Sequence, residues 1–256
     1  MALFHRKTKK LSEDTMLNGA KVITAVHPKA IVSEQFRTIR TNIEFASVTH
    51  PVKTIMFTSA DASEGKSTVS ANLAITWAQQ GKRVLFVDAD LRRPTVHKTF
   101  SVENVNGLTS ILAQNKVENY RDLVQTTPVE NLYVVTSGPV PPNPSELLNS
   151  KRMDTLIKRM HDDFDMVVFD VPPMLTVTAA QLLTAKVDGV VLVVRFGVTN
   201  KAALSRTKEL LDLAHANVLG YVMNDSTGES ERSGYGYGYG YGYGYGYGST
   251  ETKKDK

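Results

Sequence analysis

A short apolar run, the loop after it and the helix after that constrain this chain more than any other feature. The run is Thr54-Ile55-Met56-Phe57-Thr58-Ser59, and the loop is Ala60-Asp61-Ala62-Ser63-Glu64-Gly65-Lys66-Ser67-Thr68. A helical pattern then runs from Ser67 to Gln80 and closes at Gly81, a usual residue just past a helix end. Strand, G-K-S-T and helix form the layout of a phosphate-binding loop. The residue types follow from the task. Gly65 lets the backbone approach phosphate oxygens, and loop N–H groups at the helix N-terminus bind the anion. Lys66 neutralises the β- and γ-oxygens of ATP, and the Ser67 hydroxyl suits Mg²⁺. Ser63, Glu64 and Thr68 complete the expected nucleotide-binding stretch. Ala60 stands where the pattern has its first glycine.

The rest of the chain repeats the alternation of strand and helix. Residues 83–88, 132–137, 165–170, 189–195 and 218–224 read as strands, and 30–46, 151–163 and 199–215 as helices. Ile31, Phe36, Ile39 and Ile43 form the apolar stripe of the first helix, and Asn143 is placed to cap a helix that Pro144 begins. The strands are continuous apolar runs, the pattern of strands covered on both faces. Such βαβ units predict an α/β class: one doubly wound, mostly parallel sheet with helices on both faces, a P-loop NTPase fold. The expected domain covers 30–228. A basic flexible arm (1–29) precedes it and a disordered Tyr/Gly-rich tail (229–256) follows. In such sheets ligands bind beyond the carboxyl ends of the strands, and two of those ends are acidic. One strand ends in Asp88-Ala89-Asp90-Leu91-Arg92-Arg93-Pro94, and another in Asp170-Val171-Pro172-Pro173. Asp170 is a Walker B type aspartate, suited to holding Mg²⁺ directly or through water.

A P-loop followed by D-x-D-x-R and D-x-P-P resembles the bacterial tyrosine kinases, which belong with the deviant-Walker ATPases. The likeness covers roughly residues 30–248. Glu34-x-x-Arg37-x-x-Arg40 on the first helix is similar to the family's ring-forming motif, and one face of a helix can present all three. Pro141-Pro142-Asn143-Pro144 with Glu146-Leu147-Leu148 is similar to a family loop. The resemblance implies roles for matching positions. Lys66 binds phosphate, Ser67, Asp88 and Asp170 arrange the metal, and Asp90 accepts or orients the proton of a tyrosine hydroxyl. Arg92 or Arg93 supports the transition state, Asn224 contacts adenine, and Lys201, Arg206 and Lys208 match a basic cluster.

Residues 234–248 alternate glycine and tyrosine without interruption, placing Tyr235, Tyr237, Tyr239, Tyr241, Tyr243, Tyr245 and Tyr247 in one segment. Such a stretch cannot build a core, because half its positions lack side chains and its backbone is costly to order. By composition alone it is a self-associating low-complexity tract. Beside the resemblance it reads as a cluster of phosphoacceptors. Seven phosphates would add about −10 to −14 charges at pH 7, against a net +4 for the whole chain. The ten residues 225–234 extend up to ~35 Å, enough to reach a neighbouring subunit. The resemblance implies phosphorylation in trans within a ring, which loosens as charge accumulates. It also implies a membrane-anchored activator on a separate chain, an opposing phosphotyrosine phosphatase, and control of capsule or exopolysaccharide synthesis and export.

Composition narrows the remaining choices. The chain has no cysteine, which removes disulfides, thiolate metal sites and a cysteine nucleophile, and its six histidines are scattered without ligand spacing. Residues 1–10 carry Arg6, Lys7, Lys9 and Lys10 and no acid, whereas 11–248 carry 23 basic and 24 acidic residues. A near-neutral body argues against nucleic acid as a partner. No segment approaches the ~20 apolar residues of a membrane span, so the expected location is cytoplasmic, with recruitment to the inner membrane face through a partner. Two other readings stay open: a positioning or partition ATPase, which carries lysine where this chain has Asp61, and a non-catalytic nucleotide-binding scaffold.

Overall fold

The computed structural model of the chain describes residues 18–47, 51–113 and 119–225. Seven strands form one sheet: β1 (Thr54–Ser59), β2 (Val84–Asp88), β3 (Gln125–Thr126), β4 (Leu132–Val135), β5 (Met166–Asp170), β6 (Gly189–Arg195) and β7 (Val218–Asn224). Their order is β3-β4-β2-β5-β1-β6-β7, and every pairing is parallel except the antiparallel β3–β4 edge. This bears out the doubly wound α/β expectation.

Strands β1, β2, β4, β5 and β6 are continuous apolar runs because each feeds two cores, whereas the edge strand β7 buries only Val222. Ile55, Phe57, Phe86 and Val168 point to one face, where α1 (Ile23–Val26), α2 (Ile31–Ala46), α3 (Lys66–Ala78) and α4 (Val96–Phe100) cover them. Met56, Leu85, Val87, Val167 and Phe169 point to the other. That face is covered by α5 (Leu108–Ala113), α6 (Pro144–Leu148), α7 (Lys151–Asp163), α8 (Thr178–Thr184) and α9 (Lys201–Leu213). Helix α3 is buried along nearly its whole length, Trp77 included. A helix buried all round is rigid, and its N-terminus carries the phosphate loop.

Three expectations need correction. Residues 18–29 are not part of a flexible arm. Gly19 adopts φ +79°, and a side chain there would meet the Thr99 backbone at 2.5 Å. Thr24 is fully buried, with its N–H and hydroxyl donating to Asn72 Oδ1 at 3.0 and 2.8 Å. Val22, Ile23 and Ala25 pack against the same core, so the segment is anchored by apolar contacts as well as by hydrogen bonds. Secondly, Ile31 is 80% exposed. The inward position at the start of α2 belongs to Ser33, whose hydroxyl donates to the His27 carbonyl at 2.8 Å. Thirdly, helix α6 does begin at Pro144, but Asn143 does not cap it with its side chain. That amide donates to Glu146 Oε2 at 2.6 Å instead. The basic start of the chain and the tail beyond 225 lie outside the described residues.

Candidate functional site

Sheet topology builds the site. β1 lies between β5 and β6, and its carboxyl end runs straight into the phosphate loop. Beside it, Asp88 and Asp170 are register partners on β2 and β5, at the last residue of each strand. Three segments that are far apart in the sequence therefore open on one spot.

At that spot Lys66 Nζ lies 3.1 Å from Asp90 Oδ2, 3.5 Å from Asp170 Oδ1 and 3.2 Å from Ser67 Oγ. Asp88 is fully buried, and its Oδ2 accepts the N–H groups of Thr95 and Val96 at 3.1 and 3.0 Å. Asp90 Oδ1 accepts the Arg93 N–H at 3.1 Å, so the D-x-D-x-R-R turn is held by both of its acids. Asp88, Asp90 and Asp170 are expected site residues that the fold does bring together, with Lys66 and Ser67.

The electrostatics are those of a site built for cations. Burial, then the Asp170 charge, pushes the Asp88 carboxyl well above its ordinary range, although the Val96 N–H and Lys66 oppose this. Burial likewise raises Asp170, against the pull of Lys66 and a Ser67 hydrogen bond. Burial works to lower Lys66, but the charges of Asp170, Asp90 and Asp88 outweigh it, and the ammonium form is favoured. One ammonium is shared among three acids. Asp88 Oδ1 and Asp170 Oδ2 are buried and have no hydrogen-bond partner among the described residues. Buried carboxylate oxygens without partners are rare, and these two fit a divalent cation held with Ser67. Among the described residues no group of three or more His, Asp or Glu is arranged to cage a metal alone. Mg²⁺ keeps waters and phosphate oxygens and takes only one or two carboxylates, a set that Asp88, Asp170 and Ser67 fit.

The loop itself is shaped by residues the motif does not name. Gly65 adopts φ +91°, and a side chain there would meet Asn224 Nδ2 at 2.1 Å. Asn224 Nδ2 donates to the Glu64 carbonyl at 3.0 Å, so the end of β7 rests against the loop. The Glu64 side chain turns inward and is 1% exposed. Its Oε2 accepts the N–H groups of Ala60 and Asp61 at 3.0 and 3.3 Å, and its Oε1 accepts the Thr199 hydroxyl at 2.6 Å. The Glu64 carboxylate is therefore a brace within the loop rather than a group turned to a ligand. Burial raises its pKa, with the Thr199 hydroxyl and the two N–H groups working against that. Arg195, at the end of β6, donates from Nη1 to the Ser63 carbonyl at 3.3 Å and from Nη2 to Asp225 Oδ2 at 3.1 Å. Sequence reasoning missed Arg195, Thr199 and Asp225. They carry no motif, and only their position at strand ends beside the loop marks them.

Other expected residues lie apart from this cluster. Arg92 and Arg93 are exposed. Lys201 and Arg206 are exposed on α9, and Lys208 pairs there with Asp212 at 2.7 Å. On α2, Arg37 pairs with Glu34 and donates to the Pro28 carbonyl at 2.7 Å. Arg40 turns the other way, donating to the Thr76 carbonyl at 3.0 Å. Glu34 is exposed, Arg37 and Arg40 are half-buried, and Arg40 ties α2 to α3. The seven tail tyrosines lie outside the described residues.

Comparison with known proteins agrees with this geometry. Residues 52–216 match a family model described as an AAA domain. Tyrosine-protein kinase YwqD of Bacillus subtilis (strain 168) is 51% identical over 203 residues, covering 79% of this chain and 85% of that protein. The kinase domain of Escherichia coli tyrosine kinase ETK superposes with a TM-score of 0.77 at 35% identity, covering 86% of this chain and 85% of that one. The chimerical protein CapA2B2 superposes with a TM-score of 0.75 at 38% identity, covering 82% of this chain and 96% of that one.

Proposed function

The chain belongs to the bacterial tyrosine kinases and is a tyrosine-protein kinase on a P-loop scaffold, and from that premise we propose that it phosphorylates its own C-terminal tyrosine cluster. Bound magnesium ATP supplies the transferred phosphoryl group and the divalent charge that screens it. Lys66 holds the β- and γ-oxygens, with Ser63, Glu64, Gly65, Ser67 and Thr68 forming the loop around them. Ser67, Asp88 and Asp170 hold the cation. Asn224 borders the adenine side. As Lys66 turns to the phosphate oxygens, one oxygen of Asp90 is released to receive the proton of the attacking tyrosine hydroxyl. A free tyrosine has a pKa near ~10, so a buried carboxylate at that point lowers the barrier. The bond to the β–γ bridging oxygen breaks as the bond to tyrosine oxygen forms, and catalysis rests on positioning and charge neutralisation.

The observation that best supports this reading is the convergence of Lys66 with Asp90 and Asp170, at 3.1 and 3.5 Å, next to two buried acid oxygens that lack partners. The acceptors in this proposal are Tyr235, Tyr237, Tyr239, Tyr241, Tyr243, Tyr245 and Tyr247. Transfer runs in trans within a ring, with Glu34 and Arg37 facing the neighbour and Arg40 fixing their helix from behind. The wider setting we propose is control of capsule or exopolysaccharide synthesis and export. A separate membrane-anchored activator recruits the kinase to the inner membrane face, and a phosphotyrosine phosphatase reverses the reaction. No helix among the described residues is long and apolar enough to cross a membrane.

The test is incubation with ATP, Mg²⁺ and the activator's cytoplasmic segment, followed by mass spectrometry of residues 234–248. Phosphotyrosine that disappears in Lys66→Met is the expected result. Free phosphate without phosphotyrosine would point to a positioning ATPase instead, and neither product would point to a scaffold.

A further inference from the structure

We propose that Arg195 and Thr199 are positioning residues that hold the phosphate loop from behind, and that Asp225 ties the root of the C-terminal tail into the same clamp. The loop needs such a brace. Ala60 replaces the first glycine of the pattern, and Ser63 sits at φ +67°, a conformation that a residue with a side chain adopts at a cost. Two side chains from beyond the loop, both near the end of β6, counter that cost. Thr199 fixes the Glu64 carboxylate, which gathers the Ala60 and Asp61 N–H groups, and Arg195 holds the Ser63 carbonyl. The contacts are directional, and the Glu64 carboxylate and its Ala60 partner are buried, where water does not replace them easily. Thr199 is itself fixed, since its hydroxyl oxygen accepts the Arg195 N–H at 2.8 Å.

The same guanidinium reaches the other way. Its Nε and Nη2 lie 3.3 and 3.1 Å from Asp225 Oδ2. Asp225 is the last described residue and adopts φ +57° directly after β7. One side chain therefore contacts both the loop that receives phosphate and the point where the tail leaves the sheet. Coupling of this kind is reciprocal: if Asp225 stabilises the loop, a ligand in the loop must stabilise the tail root.

This inference rests on the loop being a nucleotide cradle, not on the tail being phosphorylated, and direct binding separates the two. Mg²⁺ with ADP is titrated calorimetrically into the full chain and into Thr199→Val, Thr199→Ser and Asp225→Asn. Hydrogen exchange of peptides spanning 60–68 and 222–228 is followed with and without nucleotide. Loss of a hydrogen bond to a charged group predicts affinity about tenfold weaker for Thr199→Val. Thr199→Ser restores it to within about twofold, since the hydroxyl is kept. Asp225→Asn speeds exchange in 60–68 as well as in 222–228, and nucleotide slows exchange in both peptides of the unaltered chain. Thr199→Val binding like the unaltered chain overturns the brace. Exchange changes confined to 222–228 in Asp225→Asn overturn the coupling, even if the protein binds nucleotide and acts as a kinase. If Thr199→Val does not fold, Arg195→Lys, which gives up the Ser63 carbonyl, decides the matter: about tenfold weaker binding supports the brace and unchanged binding overturns it.

Discussion

Asp88 and Asp170 end adjacent parallel strands as direct register partners, and each keeps one buried carboxylate oxygen with no hydrogen-bond partner among the described residues. Placing two acids together in a dry site destabilises the fold. The arrangement makes sense for a site that spends part of its cycle holding a divalent cation.

Replacing Asp88 with asparagine separates stability from activity. Its amide oxygen still accepts the Thr95 and Val96 N–H groups, while one of the two facing charges is removed. Because the folded pKa of Asp88 is raised, the folded state binds more protons than the unfolded chain. Stability therefore falls as pH rises from the unfolded value near ~3.9 through the folded one. Without Mg²⁺ at pH 7, Asp88→Asn should be more stable than the unaltered chain, read as a higher melting temperature. Its stability should also fall less with pH across that window, while its activity drops by at least about a hundredfold. Thermal melts at several pH values, with and without Mg²⁺, check both halves.

Gly65→Ala tests the loop geometry. The position has φ +91°, and the new methyl would meet Asn224 Nδ2 at 2.1 Å. The conformational penalty alone is about 1–2 kcal/mol, and the loop or Asn224 must shift. A modest fall in melting temperature is expected together with at least a tenfold loss of nucleotide affinity by titration (about 1.4 kcal/mol).

Asn72→Ala tests the corrected boundary of the folded body. Asn72 accepts from Thr24 and donates to the carbonyls of Lys21 and Thr68, both at 2.8 Å. Its loss leaves the buried Thr24 groups without their acceptor, at a cost of about 1–3 kcal/mol. Urea denaturation should show that loss, and limited proteolysis should cut near residues 18–29 faster than in the unaltered chain. Unchanged cleavage would return the segment to the status of an arm.

An acid-side prediction comes from the far face. Arg121 and Tyr120 both donate to Asp163, with Arg121 Nε at 2.9 Å, and these hydrogen bonds hold its carboxyl below the usual range. A depressed carboxylate contributes stability above its unfolded pKa, and that stability is lost as pH falls through the folded one. Asp163→Asn should therefore be less stable than the unaltered chain at pH 7 and should lose less stability on acidification. Chemical denaturation at pH 7 and pH 3 measures the difference.

Much of this was legible along the chain. The apolar runs at 54–59 and 189–195 match β1 and β6 residue for residue, because strands buried on both faces must be apolar throughout, and the run at 218–224 matches β7 although that edge strand is exposed over much of its length. The convergence of Lys66, Ser67, Asp88 and Asp170 was legible because a G-K-S-T turn at a helix start and acids at strand ends are local patterns of residue type. Other features belong to the folded chain alone. Whether Glu64 faces ligand or interior depends on Thr199, 135 residues away. Whether Arg40 faces a neighbour depends on the Thr76 carbonyl of the helix packed beside it. Periodicity and motif are local and survive in one dimension, whereas the direction of a polar side chain is set by whichever distant group can satisfy its hydrogen bonds once the sheet has closed.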